Sequence, residues 1–391
     1  MTAPGRARLV EIDALRGLAA LAVVLFHYTT RYGQLYGHGT APLFSAPWGH
    51  LGVNLFFIVS GFVIFMTLER TRRPLDFVVS RFSRLYPSYW AAIVLTFTVT
   101  HIGGMVREQV TLPVALLNLT MLQEFLKVPS VDGAYWTLAI ELVFYAWMLL
   151  LFRLRLLARI HWFVAALLVL RVVYHGAAVL AGVELSWTLG RLLLLATMPW
   201  FGSGIMLYRR AAGAPRASRD WAVIAAAVAT LWIADGAGMA LLLAGLCGVV
   251  HAATRGWLPV LRWRGLAALG GVSYALYLVH ENVGWTVIRT AEARGLSADA
   301  AIALALFASG LLAWLVTRCV EQPALRRIRI WYARRSGDDL RHVGRDALRQ
   351  QVDVVAVDET VVGLHGERQL QAAGHVLEPA PGQRGNVGGG Q

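Results

Sequence analysis

The chain has 391 residues, of which 57% are hydrophobic and 15% charged, with a formal net charge of +13. So large an apolar share exceeds what a water-soluble core needs and excludes an ordinary soluble domain; the expected class is an all-α polytopic membrane protein. The positive charge is almost wholly arginine, Lys127 being the sole lysine, and it gathers in short stretches between apolar runs, where it sets topology or meets anionic headgroups and phosphates rather than nucleic acid.

Apolar runs long enough to cross a hydrocarbon core of about 30 Å predict about ten transmembrane helices, near 13–30, 50–68, 88–105, 135–152, 161–181, 189–208, 220–235, 238–254, 267–289 and 300–320. Glu11 and Asp13 stand directly before the first run, with no small-residue cleavage pattern behind it, so this helix is expected to stay rather than be removed as a leader. Arginines concentrate in alternate connections: Arg70, Arg72, Arg73, Arg81 and Arg84, then Arg153, Arg155 and Arg159, then Arg209 to Arg219, then Arg255 to Arg264. The other connections hold little beyond Arg31, Arg107, Lys127, Arg289 and Arg294. This asymmetry puts both termini in the cytoplasm. The run 112–125, interrupted by Pro113, Asn118 and Gln123, reads as a re-entrant or interfacial helix. Residues 1–330 then form a membrane domain and 331–391 a cytoplasmic, basic and largely disordered tail. Cys247 and Cys319 lie in apolar segments without metal-ligand spacing and read as packing residues.

Ionisable groups inside apolar helices are costly and usually mark function. The first helix carries Arg16 and, eleven residues on, His27, with nothing ionisable between. Eleven residues advance about 16 Å and return to within about 20° of the same azimuth, so a cation and an imidazole share one face at different depths. Either they line a slot for a long ligand, anionic at one end and reactive at the other, or they are a membrane anchor and a packing histidine. In the second helix Asn54 and Gly61 share a face, an amide above a site of close helix approach. Arg81 and Arg84, at i and i+3 in a predicted inner turn, can hold a phosphate in bidentate fashion. Glu141 is a carboxylate in the outer part of the fourth run, and by depth the partner available to it is His27. Ser273, Tyr277 and His280 form a polar stripe in the ninth; His280 is either a rival base or a substrate-side group. The tenth run is expected to end at Glu321-Gln322-Pro323, where proline stops the helix.

Taken together, these stretches resemble the acyltransferase type 3 family of integral-membrane acyltransferases. The matching elements are Asp13-Ala14-Leu15-Arg16-Gly17 with His27, Gly52 to Phe57 with Ser60-Gly61-Phe62, Arg81 to Pro87, Trp136 with Glu141, Ser273-Tyr274 through His280, and Glu321-Gln322-Pro323. Gln322 stands where the family commonly has a basic residue. The resemblance implies about ten membrane helices in the cell (inner) membrane and an acyl-coenzyme A donor, taken as acetyl-CoA, entering from the cytoplasm. Its acceptor would be a hydroxyl of an exported polysaccharide or glycolipid. It further implies that Arg16, Arg81 and Arg84 bind the coenzyme's phosphates and that His27 with Glu141 is the catalytic pair. Asn54 or Tyr277 is expected at the oxyanion and His280 on the substrate side, with no metal and no permanently bound cofactor. Two other readings stand beside this: acylation of a small secondary metabolite, and a proton-coupled transporter or flippase built on the same buried groups.

Overall fold

The computed structural model describes residues 10–182 and 186–336, and every regular element among them is helical. Helix α1 (Val10–Leu25) runs through a π-helical segment (Phe26–Arg31) straight into α2 (Tyr32–Tyr36). A 3-10 turn (Pro47–Leu51) leads to α3 (Gly52–Glu69) and α4 (Pro74–Ile102). The short α5 (Leu112–Asn118) precedes α6 (Trp136–Arg153), α7 (Ile160–Ala181), α8 (Trp187–Leu192) and α9 (Met198–Ala211). Then come α10 (Ala217–Asp235), α11 (Ala237–Thr254), α12 (Arg264–Val279), α13 (Glu281–Glu292), α14 (Ala298–Val316), a second π segment (Thr317–Glu321) and α15 (Gln322–Ser336). The predicted tail beyond 336 lies outside the described residues.

Six of these stretches are long and apolar enough to cross a membrane: Pro47–Glu69, Gly133–Arg153, Leu157–Ala181, Ala217–Asp235, Ala237–Thr254 and Ala298–Ser336. The chain is therefore a multi-pass helical membrane protein. The remaining predicted spans are helical but fall short of that measure. Helices α1, α9 and α12 have 16, 14 and 16 residues, and α4 carries Asp76, Arg81 and Arg84 in its first half.

Two helices run through a proline, one of them at Pro323, where a helix stop is expected. Helix α4 runs through Pro87, so Arg81 and Arg84 sit on one helical face rather than in a turn. Buried Ser83 directs its hydroxyl to the Ser80 carbonyl at 3.2 Å, one turn before the proline. Before Pro323 the chain widens into the π segment, whose larger turn relieves the clash of the proline ring with the carbonyl four residues back; the helix continues to Ser336.

The most extensive helix pairings are α1 with α12 and α3 with α9, and both depend on glycine. A Cβ on Gly270 would overlap the backbone of Asp13, and one on Gly17 the backbone of Gly270. Likewise Gly61 and Gly204 lie against the carbonyls of Phe201 and Ile58. Without an aqueous hydrophobic drive between helices, such backbone contact is what membrane packing rests on. Phe201 adds a stack on Phe144, with ring centroids 4.1 Å apart, that locks α6 to α9. Helices α1 and α12 run parallel: Gly17 meets Gly270 and, ten residues further along each, His27 meets His280.

The neighbouring Gly271 faces open space, which supplies a control. Gly270→Ala is expected to destabilise the protein by about 1–3 kcal/mol through overpacking, whereas Gly271→Ala is expected to be neutral or to gain up to about 1 kcal/mol of helix propensity. Thermal unfolding in detergent reads the difference; equal melting temperatures for the two variants would contradict the crossing.

Candidate active site

The π segment of α1 begins at Phe26, where the sequence turns from apolar to the polar run His27-Tyr28-Thr29-Thr30-Arg31. A wide turn leaves carbonyls poorly matched to backbone N–H groups, and side chains take them up. His27 Nδ1 lies 2.9 Å from Val23 O, and Thr29 donates to Leu25 O at 2.7 Å. The His27 carbonyl accepts from Trp285 Nε1 at 3.0 Å.

His280 occupies a matching irregularity, the joint between α12 and α13. Its Nδ1 reaches the Tyr277 carbonyl at 2.8 Å. Tyr28 donates to the His280 carbonyl at 2.8 Å and contacts Ser309 Oγ at 2.7 Å, while Tyr135 donates to Leu278 O at 3.0 Å. Gly284 makes room for Tyr28, since a Cβ there would overlap the phenol.

The imidazoles meet at 3.2 Å, His280 Nε2 to His27 Nδ1. Their carbonyl contacts fix the tautomers. Because His280 Nδ1 faces a carbonyl, it carries the proton, and Nε2 is left to accept. His27 Nδ1 then donates, to His280 and to Val23 O, and the His27 lone pair stands on Nε2. That nitrogen faces Glu281 Oε2 at 3.5 Å. The His27 side chain keeps 15% of its surface accessible and His280 none, so only His27 can be reached by a substrate.

Glu281 is seated by the stretch before α6. Asn118 clamps that stretch, donating to Val114 O and Pro129 O at 2.8 and 3.0 Å and accepting from Val131 N at 3.1 Å. This positions fully buried Asp132, which accepts from Ala134 N and from Asn282 N near the start of α13. The Glu281 carboxyl rests on Gly133, and Asp132 is the charged group it feels most strongly. Glu281 Oε2 is buried and has no hydrogen-bond partner among the described residues.

A second cluster forms toward the N-terminal end of α1, roughly 16 Å along the helix axis from His27. Arg16 approaches Asp13 at 3.6 Å, and Arg84 pairs with Glu321. Glu141 accepts from Ser60 Oγ at 2.8 Å and Tyr145 OH at 2.6 Å. Arg16 and Arg81 both lie within electrostatic reach of Glu141 and of Arg84. Three guanidiniums thus face Asp13, Glu141 and Glu321. Arg81 donates Nη2 to Ser80 at 3.0 Å, but its buried Nε has no partner, and neither has Glu321 Oε2.

The structure therefore brings Arg16, Arg81 and Arg84 together, but it does not bring Glu141 to His27. Glu141 lies at the level of Arg16, about three turns along α1 from His27, and its side chain turns to Ser60, Tyr145 and the arginines. The neighbours of His27 are His280 and Glu281. Tyr277 is committed elsewhere, at 2.9 Å to Thr137 Oγ1 and 3.2 Å to Ala134 O. Half-buried Asn54 makes no side-chain hydrogen bond among the described residues, and its neighbours Val53 and Phe56 pack with Val23 and Tyr277. The residues missed are Asp132 and Glu281. Their signal was present in Glu281-Asn282 following His280 within an apolar run, to which the rule on intramembrane ionisable groups applies equally.

Ring nitrogens of both histidines and a Glu281 oxygen lie within 4.8 Å of one another, close enough to hold a metal ion. A metal there would have to displace the bond between the rings, since His280 Nε2 is taken by His27. The arginine cluster, with an orphaned donor, is suited to phosphate.

The family model for an acyltransferase domain matches residues 9–319. The chain is 26% identical over 327 residues to the exopolysaccharide production protein ExoZ of Rhizobium meliloti (strain 1021), covering 78% of this chain and 95% of that protein. It is also 26% identical over 380 residues to the acyltransferase MdmB of Streptomyces mycarofaciens, covering 83% and 93%. A 93-residue stretch is 37% identical to protein 2 in the picA locus of Rhizobium radiobacter, covering 22% of this chain and 44% of that protein. No solved structure gives a match of comparable significance. With the family model spanning four-fifths of the sequence, the chain belongs to the acyltransferase type 3 family and is a membrane-embedded acyltransferase.

Proposed function

We propose that the protein is an O-acetyltransferase of the cell (inner) membrane that moves an acetyl group from cytoplasmic acetyl-CoA to a hydroxyl of an exported or lipid-linked polysaccharide. The observation that carries this reading is the pairing of two clusters on one helix: a guanidinium cluster with an orphaned donor at one end of α1 and a reachable imidazole lone pair at the other. The coenzyme's phosphates dock on Arg16, Arg81 and Arg84, and the slender arm of the thioester follows α1 to His27. That ExoZ is named for exopolysaccharide production supports a polysaccharide acceptor. A transporter would have little use for a phosphate-binding guanidinium cluster.

His27 Nε2 takes the proton of the acceptor hydroxyl as its oxygen attacks the thioester carbonyl. The carbon–oxygen bond forms, the carbon–sulfur bond breaks, and the imidazolium returns its proton to the departing thiolate. His280 accepts the hydrogen bond from His27 Nδ1 and so keeps the His27 lone pair on Nε2, the part expected of Glu141. Glu281 stabilises the transient imidazolium from 3.5 Å, and the uncommitted amide of Asn54 is the donor for the oxyanion. Glu141 instead balances the arginines that receive the donor.

Steady-state kinetics with purified protein separates these roles. His280→Ala is expected to lower kcat by about tenfold or more with little change in the donor KM. His280→Gln, which can still donate to Tyr277 O and accept from His27, is expected to restore part of that loss. An Ala variant with native kcat would remove His280 from the reaction.

At the other cluster, Arg81→Ala with Arg84→Ala is expected to raise the donor KM by about tenfold or more, as lost charge-assisted hydrogen bonds do. Glu141→Gln is expected to change the donor KM rather than abolish turnover. Loss of kcat at unchanged KM in Glu141→Gln would return that carboxylate to the catalytic pair.

A further inference from the structure

Beyond the histidine pair, α13 continues away from the reaction centre and carries Glu281, Trp285 and Arg289 at four-residue intervals. Such spacing makes one slowly turning stripe, and eight residues advance about 12 Å. The Trp285 ring lies 6.1 Å from that of His27 and 5.8 Å from that of Tyr36. The stripe thus leads from the imidazole, past an aromatic side chain, to an arginine.

That arginine opens onto a cleft of about 550 Å³ formed with Tyr32, Tyr36, Gly104 and Arg107. A second cavity of about 400 Å³ adjoins it, shares Gly104 and Arg289, and adds Arg294. The Tyr32 and Tyr36 rings stand 5.2 Å apart and give the cleft an aromatic wall. The acids nearby are already engaged: Glu108 with Tyr36 and Arg107, Glu292 with His38 and Tyr32. Arg289 has only long contacts, 3.4 Å to Gly104 O and 3.6 Å to Met105 Sδ, and neither Arg289 nor Arg294 has an ion pair among the described residues. At the other end of the stripe, about two turns along α13 from Arg289, Glu281 Oε2 is a buried acceptor without a partner among the described residues.

We infer that this cleft is the acceptor site and that it takes an anionic saccharide, one bearing a carboxylate or phosphate about 12 Å from the hydroxyl to be acylated. This rests on the acyl-transfer reading and adds the acceptor's chemistry to it. Arg289 and Arg294 hold the anion, the tyrosines face the sugar rings, and Glu281 Oε2 accepts a hydroxyl hydrogen beside His27. The separation fits one sugar ring with a further residue or a phosphate attached.

Isothermal titration of the full-length protein in phosphatidylcholine nanodiscs tests this without requiring turnover. The probes are methyl glucuronide, glucose 6-phosphate and the neutral methyl glucoside. At least one anionic probe is expected to bind about tenfold more tightly than methyl glucoside, and Arg289→Ala with Arg294→Ala is expected to erase that preference. A stronger response to the phosphate or to the carboxylate identifies which anion the acceptor carries. Equal binding of all three probes, no binding of any, or a preference that survives the double substitution would overturn the inference. So would loss of the preference in phosphatidylglycerol nanodiscs, which would assign the arginines to lipid headgroups. If the preference is present and arginine-dependent while the native protein transfers no acetyl group, the cleft stands and the transfer reading falls.

Discussion

The site depends on a single steric constraint, the parallel contact of α1 with α12 at Gly17 and Gly270. Two helices that touch backbone to backbone have no freedom to slide, because any side chain at the crossing would force them apart. Register fixed at one end is inherited at the other. Ten residues later it sets His27 against His280 at hydrogen-bonding distance. Both helices are irregular at that level, one widened into a π segment and the other broken before α13. Each irregularity frees carbonyls that side chains then satisfy. The distortions are therefore stable features, and they aim the rings.

Buried charge explains the division of the carboxylates. An unpaired ion in an apolar interior is strongly disfavoured, so each acid sits where a counter-charge or an N–H donor compensates it. Asp13, Glu141 and Glu321 answer three guanidiniums, and Asp132 accepts two backbone N–H groups. Glu281 and Glu321 each retain a buried oxygen without a hydrogen bond among the described residues, and that of Glu281 faces His27, the reachable imidazole of the pair. An incomplete set of partners at one buried acid, and an orphaned donor on Arg81 at the other cluster, leave at each end of α1 a group whose partner the proposed substrates would supply.

Much of this was legible in the sequence. The apolar runs gave the helical membrane class, the spacing of Arg16 and His27 gave two polar clusters along one helix, and Arg81 and Arg84 lie near Arg16 in space. The partner of His27 was not legible. Glu141 and His27 were matched by depth, but an apolar run fixes depth only loosely, and α6 packs with Glu141 at the level of Arg16 instead. The hydroxyl of Tyr277, expected at the oxyanion, is held by Thr137 and Ala134 around the start of α6. Pro323 misled for a different reason: isolated propensity ends a helix at proline, whereas a π turn carries this helix through.

Transfer of radiolabelled acetyl from acetyl-CoA to surface polysaccharide, in membranes carrying the native protein or His27→Ala at matched expression, tests the central claim most directly. Label that accumulates in glycan with the native protein and falls to background with His27→Ala is the expected result. Equal labelling by both would contradict a reaction centred on the His27 imidazole.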